Sequence, residues 1–200
     1  LVALAPTLPE LIVAVDSEAQ VDALDAALAG SKARVGVLIE ADIGMHRCGT
    51  DSPEETVALA RRIAKSRAAW RGIMGYEGHA VLVPDSGKRK ELAEAAGATL
   101  RAHVLALRAS GLAPEIVSAG GTGTFELTGS TDFVTEIQAG SYVFMDGRYR
   151  DVRTDFETAL TLHTTVLRRR GRLVITDAGV KSLSSDFGMP RGADLPLGVV

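Results

Sequence analysis

"LIVAVDSEAQVDALDAALAG", residues 11–30, sets a strand and a helix end to end, and its two parts obey different spacing rules. "LIVAVD" is a short apolar run of the kind a buried strand carries. Ser17 then stands three residues before Gln20, the N-cap and N3 spacing of a capping box, and Val21, Leu24 and Leu28 fall on one helical face. Gly30 closes the helix, since glycine takes the left-handed turn that ends one without a Cβ clash.

The same alternation continues outward. "ARVGVLIEAD" (33–42) reads as a second strand, and "SPEETVALARRIAKSRA" (52–68) as a second helix with Ser52 at the N-cap, Pro53 at N1 and Glu55 at N3. "RGIMGY" (71–76) is a third strand. Leu92, Ala96, Leu100, Val104 and Leu107 give helical spacing across Ser86 to Ser110. "EIVSAG" and "FVTEIQAG" are further short strands. Strand following helix in this order predicts an α/β fold with a parallel sheet, and a (βα)8 TIM-type barrel, or part of one, is the favoured form; an open doubly wound sheet is the alternative.

After about residue 155 the rhythm changes. "TALTLHTTVLRRRGRLVITDAG" (158–179) is rich in β-branched residues at period two around a glycine turn, which predicts antiparallel strands over 158–177. The expected organisation is therefore a partial barrel over residues 1–155 and the start of an all-β domain over 156–200. The basic "RRRGR" (168–172) reads as a solvated hairpin tip.

Composition excludes several classes of function. The chain has 200 residues, 46% apolar and 24% charged, with a net charge of -3, so nothing in it suits nucleic acid or an anionic membrane surface. No apolar run reaches the length of a membrane span. The single cysteine, Cys48, makes no internal disulfide, and a cytoplasmic location is expected. The opening "LVALAPTLPELIVAVD" has neither an initiator methionine nor the basic region of a signal peptide, and it reads as a cut inside a larger protein.

Every unusual polar cluster follows the end of a strand: "EADIGMHRCG", "GYEGH", "SAGGTGTFE" and "QAGSYVFMDG". On a (βα) barrel that is the catalytic face, and its late loops commonly bind phosphate. "SAGGTGTFE" (118–126) lacks the Gly-Lys-Ser/Thr of a Walker loop, and Glu126 stands where a dinucleotide fingerprint needs its third glycine. Its amides and the hydroxyls of Thr122 and Thr124 suit a single phosphate monoester. A plain βα turn that needs glycine for its backbone is the other reading, and the loop alone leaves both open.

Together, "EADIGMHRCGT", "GIMGYEGH", "SAGGTGTF", "TEIQAGSYVFMDGRY" and "DAGVKSLSSD" resemble the D-threonine aldolase and D-serine dehydratase family, relatives of alanine racemase that bind pyridoxal phosphate on a (βα)8 barrel. The D-x-G-x-x-R-x-G around Arg47 and the "QAGSYVFMD" stretch are its most specific parts. The resemblance implies that Thr122, Gly123 and Thr124, with the backbone of Gly140, Ser141 and Tyr142, hold the cofactor's phosphate. It implies that Arg47 hydrogen-bonds the cofactor's phenolic oxygen or the substrate carboxylate, with Gly44 and Gly49 clearing space around it, and that Tyr76 lies beside the pyridine ring.

His79 has two readings, a proton acceptor for the substrate β-hydroxyl or a cap on the next turn, because "Tyr-Glu-Gly-His" is out of register with the family's "Tyr-His-Gly". His46 and Cys48 complete no metal site, and His103 and His163 read as structural. The family's Schiff-base lysine precedes the chain, Lys181 falls in its β-domain, and its divalent-metal ligands lie beyond these residues. The segment alone is thus expected to be inactive. The intact enzyme is expected to be a metal-assisted lyase, a homodimer acting on small D-3-hydroxy amino acids. An amino-acid racemase and a non-catalytic pyridoxal-phosphate carrier are the alternatives.

Overall fold

A computed structural model describes residues 1–184 and divides the chain after Gly140 into two compact units. The first begins with β1 (Ile12–Val15) and α1 (Glu18–Leu28). The Gln20 side-chain oxygen accepts the backbone N–H of Asp16 at 2.7 Å and that of Ser17 at 3.3 Å, so donors at the helix entry are met by a residue one turn in. Val21, Leu24 and Leu28 are buried, and Gly30 takes φ 74° just beyond the helix.

β2 (Gly36–Glu40) and α2 (Pro53–Ala64) repeat the unit. Ser52 Oγ accepts the Glu55 N–H at 3.2 Å, and Glu55 returns a carboxylate oxygen to the Asp51 N–H at 2.8 Å. Acidic residues open α2 and Arg61 and Arg62 close it, matching the helix dipole. β3 (Ala69–Met74), α3 (Ser86–Ala109), β4 (Ile116–Ala119), α4 (Phe125–Gly129) and β5 (Glu136–Ile137) follow. All four strand pairings are parallel and the order across the sheet is β1-β2-β3-β4-β5. Strands that neighbour one another in chain order, with no reversal, build a barrel wall; a doubly wound sheet would change direction at a switch point.

The core lies between this sheet and its helices. Val37, Ile39 and Ile73 of the strands meet Leu59 and Ile63 of α2 and Leu100, Val104 and Leu107 of α3, all buried. Gly72, at φ 150°, is required there, because a side-chain carbon would collide with the backbone carbonyl of Ile116 on β4. One polar chain crosses the core: His103 Nδ1 lies 2.7 Å from Thr56 Oγ1, which lies 2.5 Å from Thr50 Oγ1, tying α3 to α2 and to the end of β2.

β5 is shorter than its sequence suggests, only Glu136 and Ile137 pairing with Ser118 and Ala119. One step earlier the Thr135 N–H still reaches the Val117 carbonyl at 2.9 Å, but the Val117 N–H goes to the Thr135 side-chain hydroxyl at 2.8 Å. A side chain standing in for the backbone ends regular pairing there.

In the second unit, β6 (Val166–Arg170) and β7 (Leu173–Thr176) form an antiparallel hairpin turning at Gly171, whose φ is 59°. The expected strands over 158–165 are absent. The ladder stops because Asp177 takes the Thr164 hydroxyl at 2.7 Å and the Thr165 N–H at 2.9 Å, while the amides of Ala159 and Leu160 go to the carbonyl of Phe144. The expected domain boundary after residue 155 falls inside this unit, and the expected β-domain's residues 185–200 lie outside the described residues. Among the described residues no helix is long and apolar enough to cross a membrane.

Candidate active site

Three loops gather at the carboxyl ends of β2, β3 and β4. The first is shaped by Asp42. One of its carboxylate oxygens accepts the N–H groups of Gly44, Met45 and His46 at 2.9, 3.0 and 3.1 Å, and the other lies 3.0 Å from His46 Nδ1. Burial would raise the Asp42 carboxyl, but the amides of Gly44 and His46 and the neighbouring imidazole outweigh it and hold the group below the usual carboxylate range. Arg47 pairs with Glu40 at 3.3 Å and its side chain stays 55% exposed.

The glycines of this loop serve other neighbours than Arg47. A side-chain carbon at Gly49 would strike the backbone nitrogen of Asp42, and one at Gly44 would stand 3.0 Å from Cε1 of His79. The expectation that they clear space for Arg47 is corrected accordingly: Gly49 admits the Asp42 backbone, and Gly44 admits the His79 ring.

The second loop continues the sheet for one residue, the Gly75 N–H reaching the Ser118 carbonyl at 3.0 Å. Tyr76 then turns toward the third loop, its hydroxyl oxygen 3.2 Å from where a side-chain carbon of Gly121 would be. His79 points elsewhere. It is exposed and borders a shallow cleft of about 350 Å³ with Asp42, His46, Asp51 and, from α3, Thr99. Tyr76, Arg47 and the glycine loop do not line that cleft.

Between Tyr76 and His79, Glu77 is buried at 2% exposure. It accepts the Gly120 N–H at 3.1 Å, the Thr124 hydroxyl at 2.9 Å and the Thr128 hydroxyl at 2.6 Å. Thr124 also accepts the Gly121 N–H at 3.1 Å, and its own N–H goes to the Gly121 carbonyl at 3.0 Å. The Thr124 hydroxyl is thus engaged inside the loop, and Thr122, like Thr124, is buried. The absent side chain of Gly123 leaves room for the second loop: a carbon there would meet the Val81 carbonyl group, with the carbon atom at 2.7 Å and the oxygen nearer still.

Two contributors escaped the sequence reading. Glu77 looked like any charged loop residue, and only the pairing of β3 with β4 brings it under the glycine loop. Gln138, one residue past β5, gives its backbone N–H to the carbonyls of Ala119 and Gly120, and its side-chain nitrogen is buried with no hydrogen-bond partner among the described residues. Its place inside "QAGSYV" was the available signal. Gly140 ends the first unit, with open space where a side chain would be. Ser141 and Tyr142 open the second, Ser141 exposed at the start of a short 3-10 turn and Tyr142 with its ring 5.5 Å from that of Phe156. No cluster of three or more His, Cys, Asp or Glu side chains suited to a metal occurs among the described residues.

Consecutive parallel βα units with their glycines and polar side chains at the strands' carboxyl ends define a barrel-type α/β protein whose ligand face lies on that side. The family described as alanine racemase, N-terminal domain, matches residues 2–147, and the chain belongs to that family. It is 35% identical over 189 residues to the 3-hydroxy-D-aspartate aldolase of Paracoccus denitrificans (strain Pd 1222), covering 89% of this chain and 49% of that protein. It is 31% identical to the D-threo-3-hydroxyaspartate dehydratase of Delftia sp. (strain HT23), over 78% of this chain and 42% of that one. The crystal structure of D-threonine aldolase from Filomicrobium marinum superposes with a TM-score of 0.86 at 34% identity, covering 94% of this chain and 52% of that one. The chain spans about half the length of the curated relatives it matches.

Proposed function

We propose that these residues are the cofactor-holding part of a pyridoxal-phosphate-dependent lyase acting on D-3-hydroxy amino acids, of the aldolase or dehydratase type. The observation that carries the reading is the folded glycine loop, Gly120–Thr124, set beside Tyr76 at the strands' carboxyl ends in a chain similar throughout to such lyases. The donor set fits the group. Two residues before Gly140, Gln138 offers a buried side-chain donor with no acceptor among the described residues, and a bound polar group would supply one.

In this reading Thr122, Gly123 and Gly140 hold the phosphate, Thr124 shapes the turn through its inward hydroxyl, and Tyr76 lies beside the ring. Ser141 and Tyr142 are assigned by the resemblance. When bound, pyridoxal phosphate draws electrons from Cα of an attached amino acid and so weakens the bonds at that carbon. Arg47 orients the substrate carboxylate or the cofactor's phenolic oxygen, with Glu40 fixing its guanidinium. His79, out of register with the family's motif and bordering the Asp42 cleft, is the candidate acceptor for the β-hydroxyl proton, a cap on the next turn being its other reading. A divalent metal enters through ligands elsewhere in the parent protein. A cytoplasmic homodimer belongs to the same proposal, the single cysteine supporting the compartment and the family resemblance the dimer.

The full-length parent protein tests this. D-threonine or D-3-hydroxyaspartate should yield an aldehyde and glycine, or a keto acid and ammonia. Chelation should abolish either reaction while the cofactor's visible absorbance persists. Racemisation of D-alanine at full rate in chelator, with no aldehyde or keto acid from the hydroxy substrates, would overturn it.

A further inference from the structure

Glu77 has no part in the function proposed above, yet it is buried and accepts three hydrogen bonds from the glycine loop and the helix that follows it. We propose that Glu77 is a positioning residue that sets the shape of the phosphate-binding turn, an inference that rests on the reading of that turn as the phosphate site. Its three donors all come from one short stretch, residues 120–128, and they bracket the turn. The Gly120 N–H is the first amide past β4, the Thr124 hydroxyl belongs to the last residue before α4, and the Thr128 hydroxyl lies within α4. One carboxylate therefore holds both ends of the turn and the helix that follows.

The connection reaches one residue further. Thr124 receives the Gly121 N–H while donating to Glu77, so two successive amides, Gly120 and Gly121, are drawn to the carboxylate's side. The residues assigned to the phosphate, Thr122 and Gly123, sit between these anchored positions. Glu77 lies 43 residues from Gly120 in sequence and reaches it because β3 and β4 are neighbours. Removing the carboxylate leaves three donors at a buried site without their acceptor, and the turn must rearrange to find others.

A positioning role makes a selective demand. The phosphate should feel the change and the pyridine ring should not. In the full-length apoenzyme, dissociation constants are measured for pyridoxal 5'-phosphate and for pyridoxal, which has no phosphate. Glu77→Met, similar in length and without an acceptor, should raise the constant for pyridoxal 5'-phosphate at least tenfold and leave that for pyridoxal within twofold. Glu77→Gln, which keeps an acceptor oxygen, should restore most of the loss. If Glu77→Met does not fold, Thr128→Val removes a single donor and should weaken pyridoxal 5'-phosphate about threefold with the same selectivity. Equal weakening of both probes, or of neither, overturns the proposal. If Thr122→Val abolishes the preference for the phosphorylated probe and Glu77→Met keeps it, this inference falls and the phosphate site stands. If the wild-type enzyme shows no preference between the probes, both fall.

Discussion

Gly123→Ala is the sharpest test of the packing at the site. A side-chain carbon there would stand 2.7 Å from the Val81 carbonyl carbon and nearer still to its oxygen. That neighbour is backbone, so it cannot swing aside as a flexible side chain would, and either the glycine loop or the segment around Val81 must shift. Overpacking of this kind costs about 1–3 kcal/mol, and the engaged amides and hydroxyls of the loop put this case at about 3 kcal/mol. For a protein of this size each kcal/mol moves the melting temperature by roughly 2–4 °C, so a fall of about 6–12 °C is expected. Gly140→Ala is the control: nothing lies within 4 Å of its side-chain position, and its φ is not left-handed, so it should change stability by less than about 0.5 kcal/mol. Urea and thermal unfolding of the two variants beside wild type provide the measurement. The physical cause is the Val81 backbone, which already occupies the space a side chain at 123 would need. Equal stability of Gly123→Ala and Gly140→Ala would refute the reasoning.

Two further outcomes are expected. Burial pushes the His103 imidazole below its ordinary value of 6.5, more strongly than nearby Glu54 and Glu55 raise it. The unfolded chain then takes up the proton more readily, so stability is complete above about that value and declines as the pH falls below it, levelling once the folded-state group also titrates. Urea midpoints between pH 8 and 5 should show this slope, and His103→Asn should lack it; an unchanged slope in the variant would remove His103 as its source. In the full-length enzyme, His79→Ala should lower cleavage of D-threonine by about 100-fold, the ordinary scale of a proton-transfer group, without changing cofactor absorbance. Unimpaired cleavage would leave His79 as a residue of the Asp42 cleft alone.

The local features were legible because their causes are local. Gln20 meets the amides of Asp16 and Ser17 within four residues, Ser52 and Glu55 do the same for α2, and Val21, Leu24 and Leu28 reach the core by helical period alone. Alternation of such units implied parallel strands, and the glycines of residues 120–123 announced a tight turn before any partner was known. Where a hydroxyl or carboxylate points depends on which strand lies alongside, and no spacing within a segment contains that. Thr124 looked like a ligand for phosphate and instead meets Glu77, 47 residues earlier in the chain. Gly123 admits the Val81 backbone, and Gly44 admits the ring of His79. β5 and the hairpin were shortened by Thr135 and Asp177, side chains that bond to the backbone of a neighbouring segment only once the chain is folded. Sequence alone determined the first three helices, the parallel sense of the strands and the place of the glycine turn, since each follows from contacts a few residues long. The tertiary structure decided what the turn rests on, because a hydrogen bond between distant residues exists only after the register of β3 against β4 has brought its two ends together.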